Sequence, residues 1–181
     1  VLKLKAPMVY DWEYSGEEVQ TFDISAVKKP GTYRLFRGKE YVGTPIVVGK
    51  NVYDDLVKAS LKWFYYQRAS MPLEPQYAGK WARAAGHKDN RVIVYGTDKA
   101  TGGKGNGQVI KSDRGWYDAG DYGKYIVNSG ISTYTLLQLY QQNKEYYDTL
   151  KLNIPESSND IPDLLDEIRW NLDWMLTMQD D

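Results

Sequence analysis

The chain opens on alternation. Tyr10, Trp12 and Tyr14 fall on one side of an extended segment, with Asp11 and Glu13 on the other. Phe22 and Ile24, and later Tyr33 and Leu35, repeat the spacing of two, as does Val1-Leu2-Lys3-Leu4-Lys5. Successive side chains of a strand point to opposite faces, so this period predicts short strands through residues 1–48. Ser15-Gly16, Pro30-Gly31 and Gly38-Lys39 separate them as turns. Strands spaced this way suit a β-sandwich. A whole sandwich takes about 100 residues, so only about half of one fits, and its opening strands are expected to lie outside this chain.

After Gly49-Lys50 the period changes to that of a helix. Asn51 is placed to cap it, Asp54 and Asp55 suit a first turn, and Val52, Leu56, Ala59, Trp63 and Tyr66 recur at helical spacing, which predicts a helix over 52–68. Tyr125, Ile126, Ser129, Thr133, Leu136, Leu137 and Tyr140 predict a second over 122–143. Gly130 interrupts it, weakens it by roughly 1 kcal/mol relative to Ala, and suggests close packing against a neighbour. Asp160 is expected to cap a third helix over 162–178, whose apolar stripe includes Leu164, Leu165, Ile168, Leu172, Met175 and Leu176. The acids from Asp163 to Glu167 are explained by the helix dipole. Residues 69–114 lack periodicity and read as a long loop, with Val92-Ile93-Val94-Tyr95 as a short extended piece. The run Gly102-Gly103-Lys104-Gly105-Asn106-Gly107 is a loop tip, because the Walker spacing and a leading strand are both missing. Strands first and helices later is as far as periodicity goes.

Composition narrows the class. With 23 basic and 24 acidic residues the net charge is −1, so no basic stripe offers itself to nucleic acid. No apolar run approaches the 18 or so residues of a membrane span. Cysteine is absent, which excludes a disulfide framework and Cys-ligated zinc. Aromatics make up 14% of the chain, 16 of them Tyr and 6 Trp, which serves a core and equally a surface that stacks on sugars.

Candidate chemistry concentrates in Gly115-Trp116-Tyr117-Asp118-Ala119-Gly120-Asp121. Two carboxylates lie three residues apart, Gly115, Gly120 and Gly123 allow tight turns, and Trp116, Tyr117 and Tyr122 flank the acids. Acids handle protons and water while rings stack on sugar faces, so the stretch suits a saccharide site. Spacing alone fits an ordinary Asx turn or helix cap as well. Asp121 falls at the start of the predicted second helix, where the dipole would keep it ionised.

The longer string Gly-Trp-Tyr-Asp-Ala-Gly-Asp-Tyr-Gly-Lys-Tyr over 115–125 resembles the catalytic-base motif of glycoside hydrolase family 9, inverting enzymes that cut β-1,4-glucans. The phrase from Asn153 to Gln179 is similar to a helix of the same family, and Lys62-Trp63-Phe64-Tyr65-Tyr66-Gln67-Arg68 to its first barrel helix in members that carry an immunoglobulin-like module. The resemblance covers residues 50–181 well and residues 1–48 more loosely. It implies a partial β-sandwich (immunoglobulin-like, all-β) over 1–48, followed by an all-α segment over 49–181 that starts an (α/α)6 barrel. By the same resemblance Asp121 is the general base and Asp118 helps position the water. Trp116, Tyr117, Tyr122 and Trp81 are assigned to substrate contact.

The family's general acid is a glutamate far towards the C-terminus, beyond residue 181; Glu156 and Glu167 have simpler explanations as loop and helix-start residues. The chain is therefore expected to be a fragment, nearly inactive alone, whose partners are a β-glucan and the rest of the catalytic domain. Some sandwich-bearing members bind zinc near residues 77–89. Here Ala69 and Gly86 stand where cysteines would be expected and Tyr117 where a His is common, leaving only His87, so zinc is not expected. His87 is read as a hydrogen-bonded loop residue. No cofactor is expected in this segment, and calcium is left open for the whole protein. A polymer substrate implies an extracellular or periplasmic setting. Two rivals stay in view: a non-catalytic β-glucan-binding protein, and a hydrolase using Asp118 and Asp121 as hard oxygen ligands for calcium or magnesium.

Overall fold

Strands pair only with their sequence neighbours in this computed structural model, which describes residues 3–5, 7–96 and 98–180. The chain divides into two units, 1–54 and 55–181. In the first, β1 (Met8–Trp12) and β2 (Glu17–Thr21) form one antiparallel hairpin, and β3 (Gly31–Arg37) and β4 (Glu40–Val48) another. Tyr10 stands opposite Val19, and Gly31 opposite Val48. The turns fall at Ser15-Gly16 and Gly38-Lys39 as the punctuation predicts, with φ of +69° at Gly16 and +65° at Gly38. Tyr33, Leu35, Ile46 and Val48 make a half-buried face on the second hairpin, yet no described residue of this unit is fully buried. Lone two-stranded hairpins are marginal in water, so both faces call for further cover.

Two expected strands are not formed. Residues 3–5 carry none, and Val1 and Leu2 lie outside the described residues; Phe22 and Ile24 follow the end of β2. Alternation signals a strand only where a partner edge is present to complete its hydrogen bonds.

Helices build the second unit. α1 (Asp54–Tyr66), α2 (Pro75–Ala78), α3 (Ile126–Gln142), α4 (Lys144–Thr149) and α5 (Asp163–Met178) surround a core of Leu61, Tyr65, Trp116, Leu136, Ile154 and Ile168, among others. The core face of α1 differs from the expected one. Leu61 and Tyr65 are buried, whereas Leu56 is 63% and Trp63 49% exposed. Aromatic residues occupy both sides of this helix, so the period leaves its rotation open. The face that turns inward is the one in line with Arg68.

Arg68 is fully buried just past α1. Its guanidinium meets Glu167 of α5 through Nε at 3.2 and 3.1 Å, and Glu156 through Nη1 and Nη2 at 3.0 Å each. Trp116 Nε1 adds a 2.8 Å bond to Glu167 Oε1. Asp163, also fully buried, accepts from the Leu152 main-chain N–H at 2.7 Å and from Ser157 Oγ at 2.5 Å. The acids at the head of α5 are thus buried anchors that tie three segments together, rather than solvated charges answering a dipole. Pro162, not Asp160, is the capping residue.

The 69–114 segment is held rather than free. Arg83 donates through Nη2 to the carbonyls of Tyr66 at 3.2 Å and Arg68 at 2.8 Å, and β5 (Val92–Ile93) pairs with β6 (Val109–Ile110). The glycine run is the tip between them, with Lys104 N–H donating to Asp180 Oδ1 at 2.8 Å.

Candidate active site

Gly115 places the acidic turn. Its φ is +79°, and a Cβ there would lie 2.8 Å from the Trp174 ring, so the backbone entering the turn passes closer to α5 than any other residue allows. Its carbonyl accepts from Ala69 N–H at 2.9 Å and Trp170 Nε1 at 3.1 Å. From there Trp116 runs into the core and Tyr117 N–H donates to the Gln67 carbonyl at 2.9 Å. The turn then closes on itself: Asp118 N–H donates to the Gly123 carbonyl at 2.9 Å, and Tyr122 N–H to that of Ala119 at 3.1 Å.

The role expected of the glycines is divided differently. Gly120 has ordinary φ, and a Cβ on it would meet nothing. Left-handed geometry falls instead on Tyr122, at φ +57°, a conformation costing an L residue about 1–2 kcal/mol. A non-glycine in this region is held there by its surroundings. Tyr122 packs its ring 5.2 Å from that of His87 and 5.3 Å from that of Tyr117.

Asp121 is not at a helix N-terminus. α3 begins at Ile126, five residues later, because the intervening turn spends its backbone groups on itself. Its carboxylate is held below the usual range by other donors: Tyr125 Oη at 2.6 Å on Oδ2 first, then the Gly123 N–H at 2.9 Å on Oδ1. Donors to the charged form favour it, so the acid is ionised at neutral pH for a local reason. Asp118 Oδ1 accepts from Asn128 Nδ2 at 2.8 Å.

Two neighbouring shallow concavities share Asp118, Tyr125 and Asn128; Trp63, Phe64, Trp116 and Tyr117 wall the first, and Asp121 and Lys124 join Asp118 in the second, which is the one that brings the two acids together. Trp116 and Tyr117 are each only 5% exposed, so they are floor rather than stacking platforms. Tyr122 is exposed beside the acids, and Trp81, 62% exposed on the 79–81 turn, lines neither concavity. Lys124 lines the second, but its three protons are taken by Asp89 Oδ2 at 2.7 Å and the carbonyls of Ser112 at 2.7 Å and Arg114 at 2.9 Å. His87 is a loop residue whose main-chain N–H donates to Tyr117 Oη at 3.2 Å. A Cβ on Gly86 would lie 2.9 Å from that same Oη, so Gly86, His87 and Tyr117 are neighbours. Among the described residues, no three His, Asp or Glu side chains gather closely enough to hold a metal ion.

The model of "Glycosyl hydrolase family 9" matches residues 53–181. This chain belongs to that family. A curated relative is the xyloglucan-specific endo-beta-1,4-glucanase BoGH9A of Bacteroides ovatus, 48% identical over 167 residues, which make up 92% of this chain and 28% of the relative. Endoglucanase D of Acetivibrio thermocellus is 34% identical over 166 residues, 90% of this chain and 25% of that protein. Among solved structures, the Bacteroides ovatus family 9 protein superposes with a TM-score of 0.78 at 42% identity, covering 98% of this chain and 35% of that one. The chain thus spans about a third or less of the relatives it matches. No described helix is long and apolar enough to cross a membrane.

For this family 9 chain, three side chains at the concavities escape a reading of the sequence. Trp63 belongs to an aromatic stripe that periodicity assigns to the core, yet it is half exposed along the wall. Tyr125 closes the 115–125 motif and Asn128 lies in the helix after it, and in the helical period they look like one apolar and one ordinary polar position. Their spacing from the acids is a weak signal: four residues after Asp121, and ten after Asp118.

Proposed function

We propose that the protein hydrolyses β-1,4-glucosidic bonds with inversion. Asp121 is the general base and Asp118 orients the water. The observation that carries this reading is the pairing of two carboxylates on one turn, open to one concavity, with Asp121 held ionised by neutral donors. In the reaction, water attacks the anomeric carbon from the face opposite the leaving oxygen. As the new C–O bond forms, Asp121 accepts a proton from that water. The glycosidic C–O bond breaks, and a carboxylic acid on the other side protonates the leaving oxygen. Glu156 and Glu167 are both committed to Arg68, and the family resemblance puts that acid on a glutamate outside residues 1–181. Trp63, Tyr122 and Trp81 supply exposed rings for sugar faces, with Trp116 and Tyr117 as the floor.

The architecture is read with it. Residues 1–48 are taken as the C-terminal part of an immunoglobulin-like sandwich, and 49–181 as the N-terminal part of an (α/α)6 barrel. Half-buried hairpin faces and exposed Val127, Ile131 and Tyr134 along α3 support the rest of the catalytic domain as a partner. A polymeric substrate supports an extracellular or periplasmic setting. The name of the Bacteroides ovatus relative makes xyloglucan the first glucan to try, beside cellulose derivatives and mixed-linkage glucan.

The test is reducing-end release by the whole gene product and its Asp121→Asn variant. A loss of roughly 10²-fold or more supports the base role. Full activity in the variant would make Asp121 a turn residue only. Saturable glucan binding without release by either protein would favour a binding protein.

A further inference from the structure

The N-terminal end of α3 carries one neutral donor for each acid. Tyr125, the capping residue just before the helix, donates Oη to Asp121 Oδ2 at 2.6 Å; Asn128, in the first turn, donates Nδ2 to Asp118 Oδ1 at 2.8 Å. We infer that Tyr125 and Asn128 are positioning residues that fix both carboxylates against a single rigid helix end and set how the acids face the attacking water. This rests on the proposed base role of Asp121.

Packing does not explain either contact. Tyr125 is 46% exposed and Asn128 is exposed, so neither fills the core. Nor does Tyr125 cap the helix with its side chain. Its hydroxyl is aimed at the acid, and the backbone makes room for it: a Cβ on Gly123 would fall 2.6 Å from that oxygen. With Gly123 N–H on Oδ1 and Tyr125 on Oδ2, the Asp121 carboxylate cannot rotate freely. Each oxygen has a second lone pair, so one remains for water. Asp118 is held at one oxygen by Asn128, and its Oδ2 has no donor among the described residues. A carboxylate fixed before substrate arrives does not have to be oriented during the reaction.

The choice of donor also matters. A cation at Tyr125's place would neutralise the base. The hydroxyl favours the ionised form and leaves its charge free. In turn, its bond to Asp121 pushes the Tyr125 phenol up, so it stays a protonated donor. The other charged groups at Asp121 are Asp118 on the same turn and Lys124, whose protons are already taken.

The experiment compares the whole gene product with Tyr125→Phe, Asn128→Leu and Asp121→Asn, following kcat, KM and the pH dependence of kcat/KM on a soluble β-1,4-glucan, with Tm as a control. Tyr125→Phe is expected to lower kcat roughly tenfold, keep KM within about twofold and leave Tm unchanged. Its acid limb should move to higher pH, because a carboxylate that loses a donor to its charged form protonates more readily. Asn128→Leu should lower kcat by a similar factor with a smaller movement of the limb, since it touches Asp118. If both variants keep kcat and the limb while Asp121→Asn abolishes turnover, the base assignment stands and the positioning role is wrong. Lower activity that tracks lower Tm, with the limb unmoved, also overturns it. Should Asp121→Asn stay active, the base role itself fails.

Discussion

Acidic side chains serve two regions of the helical unit under opposite conditions. At the head of α5, Asp163 and Glu167 are buried; Glu167 faces an arginine, and Asp163 accepts a main-chain N–H and a hydroxyl. On the 118–123 turn, Asp118 and Asp121 are exposed and held by an amide, a phenol and a main-chain N–H. The difference separates scaffold from site. A buried carboxylate matched to a guanidinium has no capacity left for a proton or a water. An exposed one fixed by neutral donors keeps its charge and a free lone pair. Burial pushes the Glu167 carboxyl up while Arg68 opposes it, and that balance depends on the pair staying intact. The two regions meet at Trp116, which bonds Glu167 from one side and floors the first concavity on the other.

Removing Arg68 should break the scaffold outright. Arg68→Met leaves Glu167 buried with no cation and should cost about 3–5 kcal/mol in urea unfolding of the whole gene product. Adding Glu167→Gln should recover part of that, because the amide removes the stranded charge and its oxygen still accepts from Trp116 Nε1. A single variant as stable as the parent would mean that the pair is not the tie it looks like. Turn acids show no comparable stake in the fold, so Asp121→Asn should leave the unfolding midpoint nearly unchanged.

Gly115→Ala tests the joint between the regions. The new Cβ would enter the Trp174 ring, on a backbone at φ +79°. Overpacking and left-handed strain together predict a loss of about 2–4 kcal/mol. Activity should fall as well, since the acid turn hangs from this residue. Stability lost without activity would show that the turn is positioned from the Tyr117 side instead.

How much of this was legible follows from range. Turns at Gly16 and Gly38, the third helix to within a residue, and the acid pair are set by nearest neighbours and by a period that only one element satisfies. The rotation of α1 depends on a partner far along the chain, and the start of α3 on a turn whose hydrogen bonds the helical period does not show. Arg68 draws the Tyr65 side of α1 inward by pairing with Glu167, 99 residues away. The turn from 118 to 123 consumes the residues that periodicity gives to α3. Acids at the head of α5 have the composition of a dipole-stabilised first turn, and only the fold reveals Arg68 and Leu152 across from them. The resemblance pointed to the candidate acids but gave no role to their donors: Tyr125 ends the motif and Asn128 lies just beyond it, and both read as ordinary helix positions.

Gly130 gives the gentlest test, and it acts on the helix that carries both donors. The interruption it makes in the apolar pattern of α3 suggests a tight crossing, yet the helix runs through it unbroken, a Cβ built there meets no atom within 4 Å, and its φ is not left-handed. Nothing in this unit therefore requires the glycine, and it leaves the helix weaker than Ala would. Gly130→Ala should raise stability by about 0.5–1 kcal/mol. The catalytic pH profile should not move, because Tyr125 and Asn128 sit at the end of the helix and their bonds do not involve residue 130. A gain in stability with a lower kcat would mean that the site needs a helix able to yield at its middle. A loss of stability would place another segment of the whole protein against residue 130, and the close approach would then be real but made by residues beyond these.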